Sequence, residues 1–274
     1  MLRDALITLL RRDRGLRRFF WYLFYQVLAG GTSGQTSWGF MNYGYMPVDV
    51  AEPALILKPE DEPERFCIQL YHHLASATQL KEKDVLEVGS GRGGGASYLK
   101  RYFEPKSLVG VDFSSKAVTF CRDNYAVDGL AFQVGDAEAL AFADESFDVV
   151  LNVESSHCYG DLDAFFSEVK RVLRPGGYFL YTDSRTDFQW DDHYQHLQNS
   201  GLNIIKTEDI TQNVLAALDK DHERKSHLIQ AKIPKILAKP LQEFAGMKGS
   251  TFYENLKAGK IIYFVFILRK AIPA

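Results

Sequence analysis

Short apolar runs recur along this chain from about residue 84, and most break at a glycine or an acid. DVLEVG (84–89), SLVGVD (107–112), LAFQVGD (130–136), FDVVLNV (147–153) and YFLYTD (178–183) read as buried strands. A strand covered on both faces has no need to alternate apolar and polar residues. The intervening segments have helical spacing. ASYLKRYF (96–103) places Leu99 and Phe103 four apart, residues 114–127 open on a candidate serine N-cap, and residues 162–173 close on RPGG. Strands alternating with helices predict a parallel sheet wrapped on both faces. Residues 202–210 and 261–269 add two later strands, which enclose a largely helical stretch from 211 to 260. The expected fold is therefore α/β: a Rossmann-like sheet of seven strands with helices on both faces and a helical lid over its carboxyl edge. Val214, Leu215, Ile229, Ile233, Ile236 and Leu237 supply the apolar side of that lid.

Length and charge narrow the picture. The 274 residues, 46% hydrophobic, suit one large domain, and a net charge of −3 gives no reason to expect nucleic acid. Cys67, Cys121 and Cys158 form no CxxC, so neither a zinc site nor a disulfide framework is expected, and the cytoplasm is the expected location. Residues 1–37 differ from the rest: a basic cluster precedes an aromatic run from Phe19 to Leu28. That run is about half the ~20 residues a membrane span needs. It suits a helix that lies on a membrane surface or over a greasy substrate, or one docked on its own domain. Residues 38–274 form the expected catalytic domain.

The strand ends carry the chemistry. EVGSGRGGG (87–95) contains Gly89, Gly91 and Gly93, a pattern that lets a ligand approach the backbone. Dinucleotide-binding folds use a similar turn, so the glycines alone decide little. Glu87 decides more: a carboxylate there would repel a pyrophosphate but suits an ammonium group. The second strand ends in Asp112, placed to accept ribose hydroxyls. The third ends in Asp136, followed by Ala137, placed to accept from an adenine amino group. Three successive acidic strand tips beside one glycine loop describe a nucleoside with a cationic tail and no phosphates, which is S-adenosylmethionine. The competing reading is that each acid only caps the next helix.

VLEVGSGRGGG, VGVDFS, GDAEALAFADESFDVV and VLRPGG resemble the class I S-adenosylmethionine-dependent methyltransferases. With NVESSHCY and the N-terminal aromatic segment, the chain is most similar to the phthiotriol/phenolphthiotriol dimycocerosates methyltransferase group, and also to O-methyltransferases of natural products. The resemblance runs from about residue 38 to 185. It implies that Glu87, Gly89, Ser90 and Gly91 meet the methionyl part, and that Asp112 and Phe113 meet the ribose side. It also implies that Asp136 and Ala137 flank the adenine and that Asn152 lies beside the sulfonium. Tyr45, in the YGYM segment (43–46), is expected to reach the cofactor, with S-adenosylhomocysteine as product.

LNVESSHCYG (151–160) ends an apolar strand in titratable groups, which costs desolvation unless they are used or paired. The fourth strand is expected beside the first, so its tip faces the transferred methyl. An alcohol must shed a proton as it is methylated, and a histidine near its ordinary pKa of about 6.5 can take it. His157 is thus the expected general base, with Asp183 at the fifth strand's end orienting it or contacting the substrate hydroxyl. WDDHYQH (190–196) is expected to be a polar helix face and not a metal site, since magnesium prefers oxygen ligands. The favoured reaction is O-methylation of a large apolar polyketide, peptide-polyketide or lipid by a monomer or homodimer. C-methylation of a sterol or polyketide type is the second reading. A fold retained for binding or for a non-methylating rearrangement is the third.

Overall fold

A computed structural model describes residues 39–48, 54–232 and 235–273. The expected N-terminal helix of residues 1–37 lies outside the described residues, as does Ile233; the side chains of Ile236 and Leu237 are also outside them. Helix α1 (Arg65–Ala75) precedes β1 (Asp84–Val88). Then α2 (Gly94–Tyr102), β2 (Ser107–Asp112), α3 (Ser115–Asn124) and β3 (Leu130–Val134) follow in alternation. Strand β4 (Phe147–Val153), α4 (Leu162–Val172), β5 (Leu173–Thr186), α5 (Asp187–Asn199) and β6 (Asn203–Asp209) continue it. Helices α6 (Thr211–Lys232), α7 (Lys235–Phe244) and α8 (Thr251–Lys257) lead into β7 (Ile261–Arg269).

The seven strands form one sheet in the order β3-β2-β1-β4-β5-β7-β6. Strands β1 to β5 pair in parallel, and β7 runs antiparallel to both β5 and β6. The central strands are buried because both faces are covered. One apolar layer joins the sheet to Leu70, Leu74, Leu99 and Val118, and the other joins it to Phe165, Phe166, Val169 and Leu197. Helix α4 shows how the sequence makes this: Phe165, Phe166, Val169 and Val172 fall on one stripe and are buried, and Asp161 caps the start by accepting from the Ala164 N–H at 3.1 Å. Ser114 caps α3 as expected, accepting from the Ala117 N–H.

Topology sets the insertion's place. β6 runs with β5, so it ends at the sheet's carboxyl edge, and β7 starts there. Residues 211–260 between them therefore sit on that edge. They meet the aromatic segment: Tyr43 stacks on Phe252 at 4.0 Å, and the Met46 N–H donates to the Asn213 carbonyl at 3.1 Å. Val214 and Ile229 are buried, and Leu215 packs against the core. Among the described residues no helix is long and apolar enough to cross a membrane.

Two local expectations need correction. The RPGG segment ends α4, but it does not form a separate turn: it enters β5 through a register shift between Phe147 and Val149, with Gly176 at φ +77°. The helix holding WDDHYQH is not polar throughout. His193 is only 2% exposed, because α5 packs it against Phe264 and Tyr181, whose hydroxyl lies 3.2 Å from Nε2. His196 instead faces Asp163 at 2.6 Å.

Candidate active site

The loop after β1 brings three strand ends together. Gly89 adopts φ +77°, and a Cβ built on it would lie 2.2 Å from the Ser155 Oγ at the β4 tip. Only glycine allows so close an approach in that conformation. Gly95, at the start of α2, has the Tyr71 ring against it, with a built Cβ 2.0 Å from the ring. Tyr71 in turn donates to Glu87 Oε1 at 2.7 Å. Asp112 accepts the Gly91 N–H on Oδ2 and the Ser114 N–H on Oδ1, each at 2.8 Å. Asp136 accepts the Glu138 N–H at 3.0 Å. These two acids therefore do stiffen the following turns, as the capping reading holds, and they also face a common space.

That space is a cleft of about 1030 Å³, its open mouth included. Gly89, Ser90, Gly91, Asp112, Phe113, Asp136 and Ala137 line one side of it. Glu154, Ser155, Cys158 and Tyr159 line the other, and residues 39–42 cover it. None of the insertion's described residues reaches it, so the lid sits over the β5–β7 half of the edge. Glu87 and Asn152 stand just behind the lining, both fully buried. The Asn152 amide donates to the Val88 carbonyl at 2.9 Å and lies within reach of the Ser155 and Tyr159 hydroxyls.

Tyr45, which the resemblance implies reaches the cofactor, is not among the residues that line the cleft. It stacks on His73 at 4.3 Å, away from the cleft, and its N–H donates to the Phe66 carbonyl. Glycine at position 44, with φ +94° against Phe66, directs the chain away. The tyrosines that line the cleft are Tyr71 and Tyr159. Sequence reasoning missed both, since neither falls in the glycine loop or at a strand end.

The electrostatics favour a cationic guest. Glu87 Oε2, Ser90 Oγ and Asn152 Oδ1 are buried and have no hydrogen-bond partner among the described residues. Such atoms cost about 1–3 kcal/mol each when left unpaired. Burial pushes Glu87 up to about 8, with Asp112 adding to the rise and the Tyr71 hydroxyl opposing it. Burial likewise raises Asp112 to about 6 against its two backbone N–H donors. An ammonium group would reverse the rise at Glu87, and a ribose would use the acceptor capacity of Asp112. The residues present thus fit an amino-acid-bearing nucleoside.

The β4 tip is differently built. A single 3-10 turn (Ser156–Cys158) follows the strand and swings His157 over β5. Its Nδ1 donates to Asp183 Oδ1 at 2.8 Å. Asp183 is fully buried and accepts further from the Ser156 hydroxyl at 2.5 Å, the His157 N–H at 3.0 Å and the Ser184 N–H at 2.8 Å. Burial would raise Asp183, but the His157 and Arg185 charges and these bonds outweigh it and hold the carboxyl far below its usual range. Burial would lower His157, but Cys158 and Asp183 outweigh it and hold the imidazole well above its usual value. The expected pair is therefore formed, with His157 beside the cleft residues Ser155 and Cys158 rather than in the lining itself. The His157 side chain is 31% exposed.

Glu154, the residue that follows β4, takes φ +47°, a left-handed conformation that non-glycine residues rarely adopt. Its Oε1 accepts the Tyr43 N–H at 2.7 Å and the Tyr263 hydroxyl, tying the segment over the cleft to β4 and β7. Burial raises Glu154 to about 7, opposed by those two donors. Strain of this kind persists where the surroundings over-determine it, as they do here.

Comparison with known proteins agrees with this geometry. A family model described as a methyltransferase domain matches residues 86–181, from β1 through β5. A fatty-acid O-methyltransferase of Mycolicibacterium smegmatis is 38% identical over 231 residues, covering 84% of this chain and 83% of the relative. A phthiotriol/phenolphthiotriol dimycocerosates methyltransferase of Mycobacterium tuberculosis is 38% identical over 253 residues, covering 91% and 92%. Among solved structures, the geranyl diphosphate C-methyltransferase of Streptomyces coelicolor, bound to S-adenosylhomocysteine, shares the fold with a TM-score of 0.64 at 18% identity, over 90% of this chain and 98% of that one. The [4+2]-cyclase SpnF does so with a TM-score of 0.65 at 19% identity, over 85% and 89%. With its sheet order, its acidic strand tips and relatives alike over most of their length, this chain belongs to the class I S-adenosylmethionine-dependent methyltransferases, and S-adenosylmethionine is its cofactor.

Proposed function

We propose that the enzyme methylates a hydroxyl oxygen of a large, apolar, lipid-like molecule. The observation that carries this reading is the His157–Asp183 pair at the β4 tip, at 2.8 Å. S-adenosylmethionine supplies an already electrophilic methyl group, so what remains for the protein is placement and removal of a proton. His157 takes the hydroxyl proton on Nε2, and Asp183 holds the tautomer and stabilises the imidazolium that forms. Glu87 and Asp112 hold the cofactor's charged and hydroxylated parts, with Gly89, Ser90, Gly91, Phe113, Asp136 and Ala137 shaping its seat. Residues 39–42, which cover the cleft, exclude water from the reacting groups.

The apolar acceptor rests on two supports. The relatives are named for a fatty acid and for phthiotriol and phenolphthiotriol dimycocerosates, and residues 1–37 combine basic and aromatic residues that suit a lipid surface. On this reading the protein is cytoplasmic and meets its substrate at the membrane face. C-methylation has one observation in its favour: the Glu154 carboxylate, raised to about 7, lines the cleft beside an aromatic segment and would suit a cationic carbon intermediate.

Transfer of a labelled methyl to a long-chain secondary alcohol, a long-chain fatty acid and an isoprenoid alkene, with the product's new bond read by NMR, separates these readings. An alcohol ether made only with His157 present supports the proposal. A fatty-acid ester with no alcohol ether overturns the hydroxyl acceptor and leaves His157 no proton to remove, because a carboxylate has none to lose, and an ether made equally well by His157→Gln overturns the role of the base. A new carbon–carbon bond establishes the second reading.

A further inference from the structure

Asp183 has two oxygens and two cations beside it. Oδ1 faces His157, and Oδ2 faces the guanidinium of Arg185 at 3.2 Å. Arg185 lies two residues further along β5 and is only 6% exposed. Its Nη1 also donates to the Ser184 carbonyl at 2.7 Å. Its Nη2 donates to the Ser156 hydroxyl at 2.7 Å and reaches the Tyr181 hydroxyl at 3.3 Å. Ser156 passes its own proton to Asp183 Oδ2, so both arms of the guanidinium end on the same carboxylate oxygen, one directly and one through a hydroxyl. A buried arginine is costly to desolvate, and here both of its terminal nitrogens are paired inside this one cluster.

We propose that Arg185 is a positioning residue for the methyl transfer: it occupies the far side of Asp183, fixes the carboxylate toward His157, and keeps His157 able to release its proton. The proposal rests on the reading of His157 as the base. The physical reason is charge balance in a low-dielectric site. Asp183 and Arg185 already neutralise one another. A proton on His157 leaves this trio with a net positive charge, and its loss leaves the trio neutral. Without Arg185, the protonated His157 and Asp183 would form a closed neutral pair, and the proton would be held more tightly.

The other groups around His157 do not supply this balance. Cys158 lies on the same turn, Glu154 at the end of β4, Tyr43 on the segment over the cleft and Tyr263 on β7; each is either neutral or negative. His193, on α5 behind Tyr181, is driven down to about 2 by burial and by the Arg185 charge, so it is a neutral neighbour. Among the described residues facing Asp183, Arg185 is therefore the permanent cation.

The test needs no substrate. Histidine-labelled full-length protein is titrated by NMR, and the His157 signal is the one missing in His157→Gln. Arg185→Gln should raise the His157 midpoint by about one unit, a tenfold increase in proton affinity, while Arg185→Lys keeps it close to wild type. An unmoved midpoint in Arg185→Gln, or an equal rise in both variants, overturns the proposal. If Arg185→Gln does not fold, Asp183→Asn is compared with Asp183→Asn/Arg185→Met, which leaves no buried carboxylate unpaired. The midpoint then rises on removing the arginine if its charge is felt, and identical midpoints overturn the proposal. Failure of the base assignment shows separately, as undiminished methyl transfer by His157→Gln.

Discussion

Two walls at the carboxyl edge of the sheet, one around the cleft and one beside it, are built on opposite rules. Around the cleft, buried acceptors stand without partners among the described residues: Glu87 Oε2 on β1, Ser90 Oγ in the loop after it and Asn152 Oδ1 on the neighbouring β4. On the β4–β5 side, Asp183 accepts from four donors in addition to its contact with Arg185. Unpaired buried acceptors of the first kind cost free energy in folding, and a ligand that donates to them recovers it. The second is satisfied before any ligand arrives, so its groups are held in one geometry and have little to rearrange during reaction. Affinity and turnover should accordingly be separable by mutation.

The largest effect expected is on turnover at the satisfied wall. His157→Gln should lower turnover by about 10²–10⁴-fold, the usual contribution of a positioned acid or base. In the wild type, the rate should rise with pH as His157 loses its proton, with a midpoint above the ordinary ~6.5 because Asp183 holds the imidazolium. A rate independent of pH across that range would remove His157 from the chemistry.

Next comes the unpaired wall. Glu87→Gln should weaken S-adenosylmethionine binding by about 10-fold or more, the cost of losing one charge-assisted contact of about 1.5–3 kcal/mol. Its effect on the free protein should have the opposite sign. Glu87 is raised from 4.5 to about 8, so its contribution to stability is full below 4.5 and is lost as pH rises through about 8. Thermal melts of the ligand-free proteins should therefore show the wild type losing stability relative to Glu87→Gln over that window. Parallel melting curves would mean that the carboxylate is not buried as described.

Smaller effects test the supports of each wall. Gly95→Ala forces a methyl against the Tyr71 ring and should cost about 1–3 kcal/mol in denaturant unfolding, while loosening the Tyr71–Glu87 bond. Phe252→Ala removes the stack on Tyr43 and should cost about 0.5–1.5 kcal/mol from the ring contact alone. The first should weaken cofactor binding and the second should not.

The sequence shows the first wall far better than the second, and the reason is physical. Asp112 ends an apolar run and Glu87 and Asp136 lie within two residues of the ends of theirs, so the strand pattern puts them at one edge, and the glycines mark where a ligand approaches. The strand limits of β2, β4 and β7 coincide with the runs read from the sequence. His157 was legible as a polar group just past the end of β4, whereas Asp183, read as the end of the fifth strand, lies inside β5, which runs on to Thr186. Tyr71, Tyr159 and Arg185 were not, because their roles depend on how α1, the turn after β4 and the last residues of β5 pack in three dimensions. Tyr45 lies outside the cleft lining because the chain turns at Gly44, which has positive φ, and no periodicity records a turn of that kind. His193 was read as polar because its neighbours in sequence are acids, whereas its neighbours in space are Tyr181 and Phe264.

The most direct test of the division between the two walls is calorimetric titration of the enzyme with S-adenosylmethionine and with S-adenosylhomocysteine near pH 7.5, run in two buffers of different ionisation heat (~7.5 lies just below the Glu87 value of about 8). The account predicts that both ligands bind, that binding releases protons as Glu87 meets an ammonium group, and that Glu87→Gln binds more weakly without that release while His157→Gln binds as the wild type does. Binding with no proton release, or a loss of affinity in His157→Gln equal to that in Glu87→Gln, would contradict it.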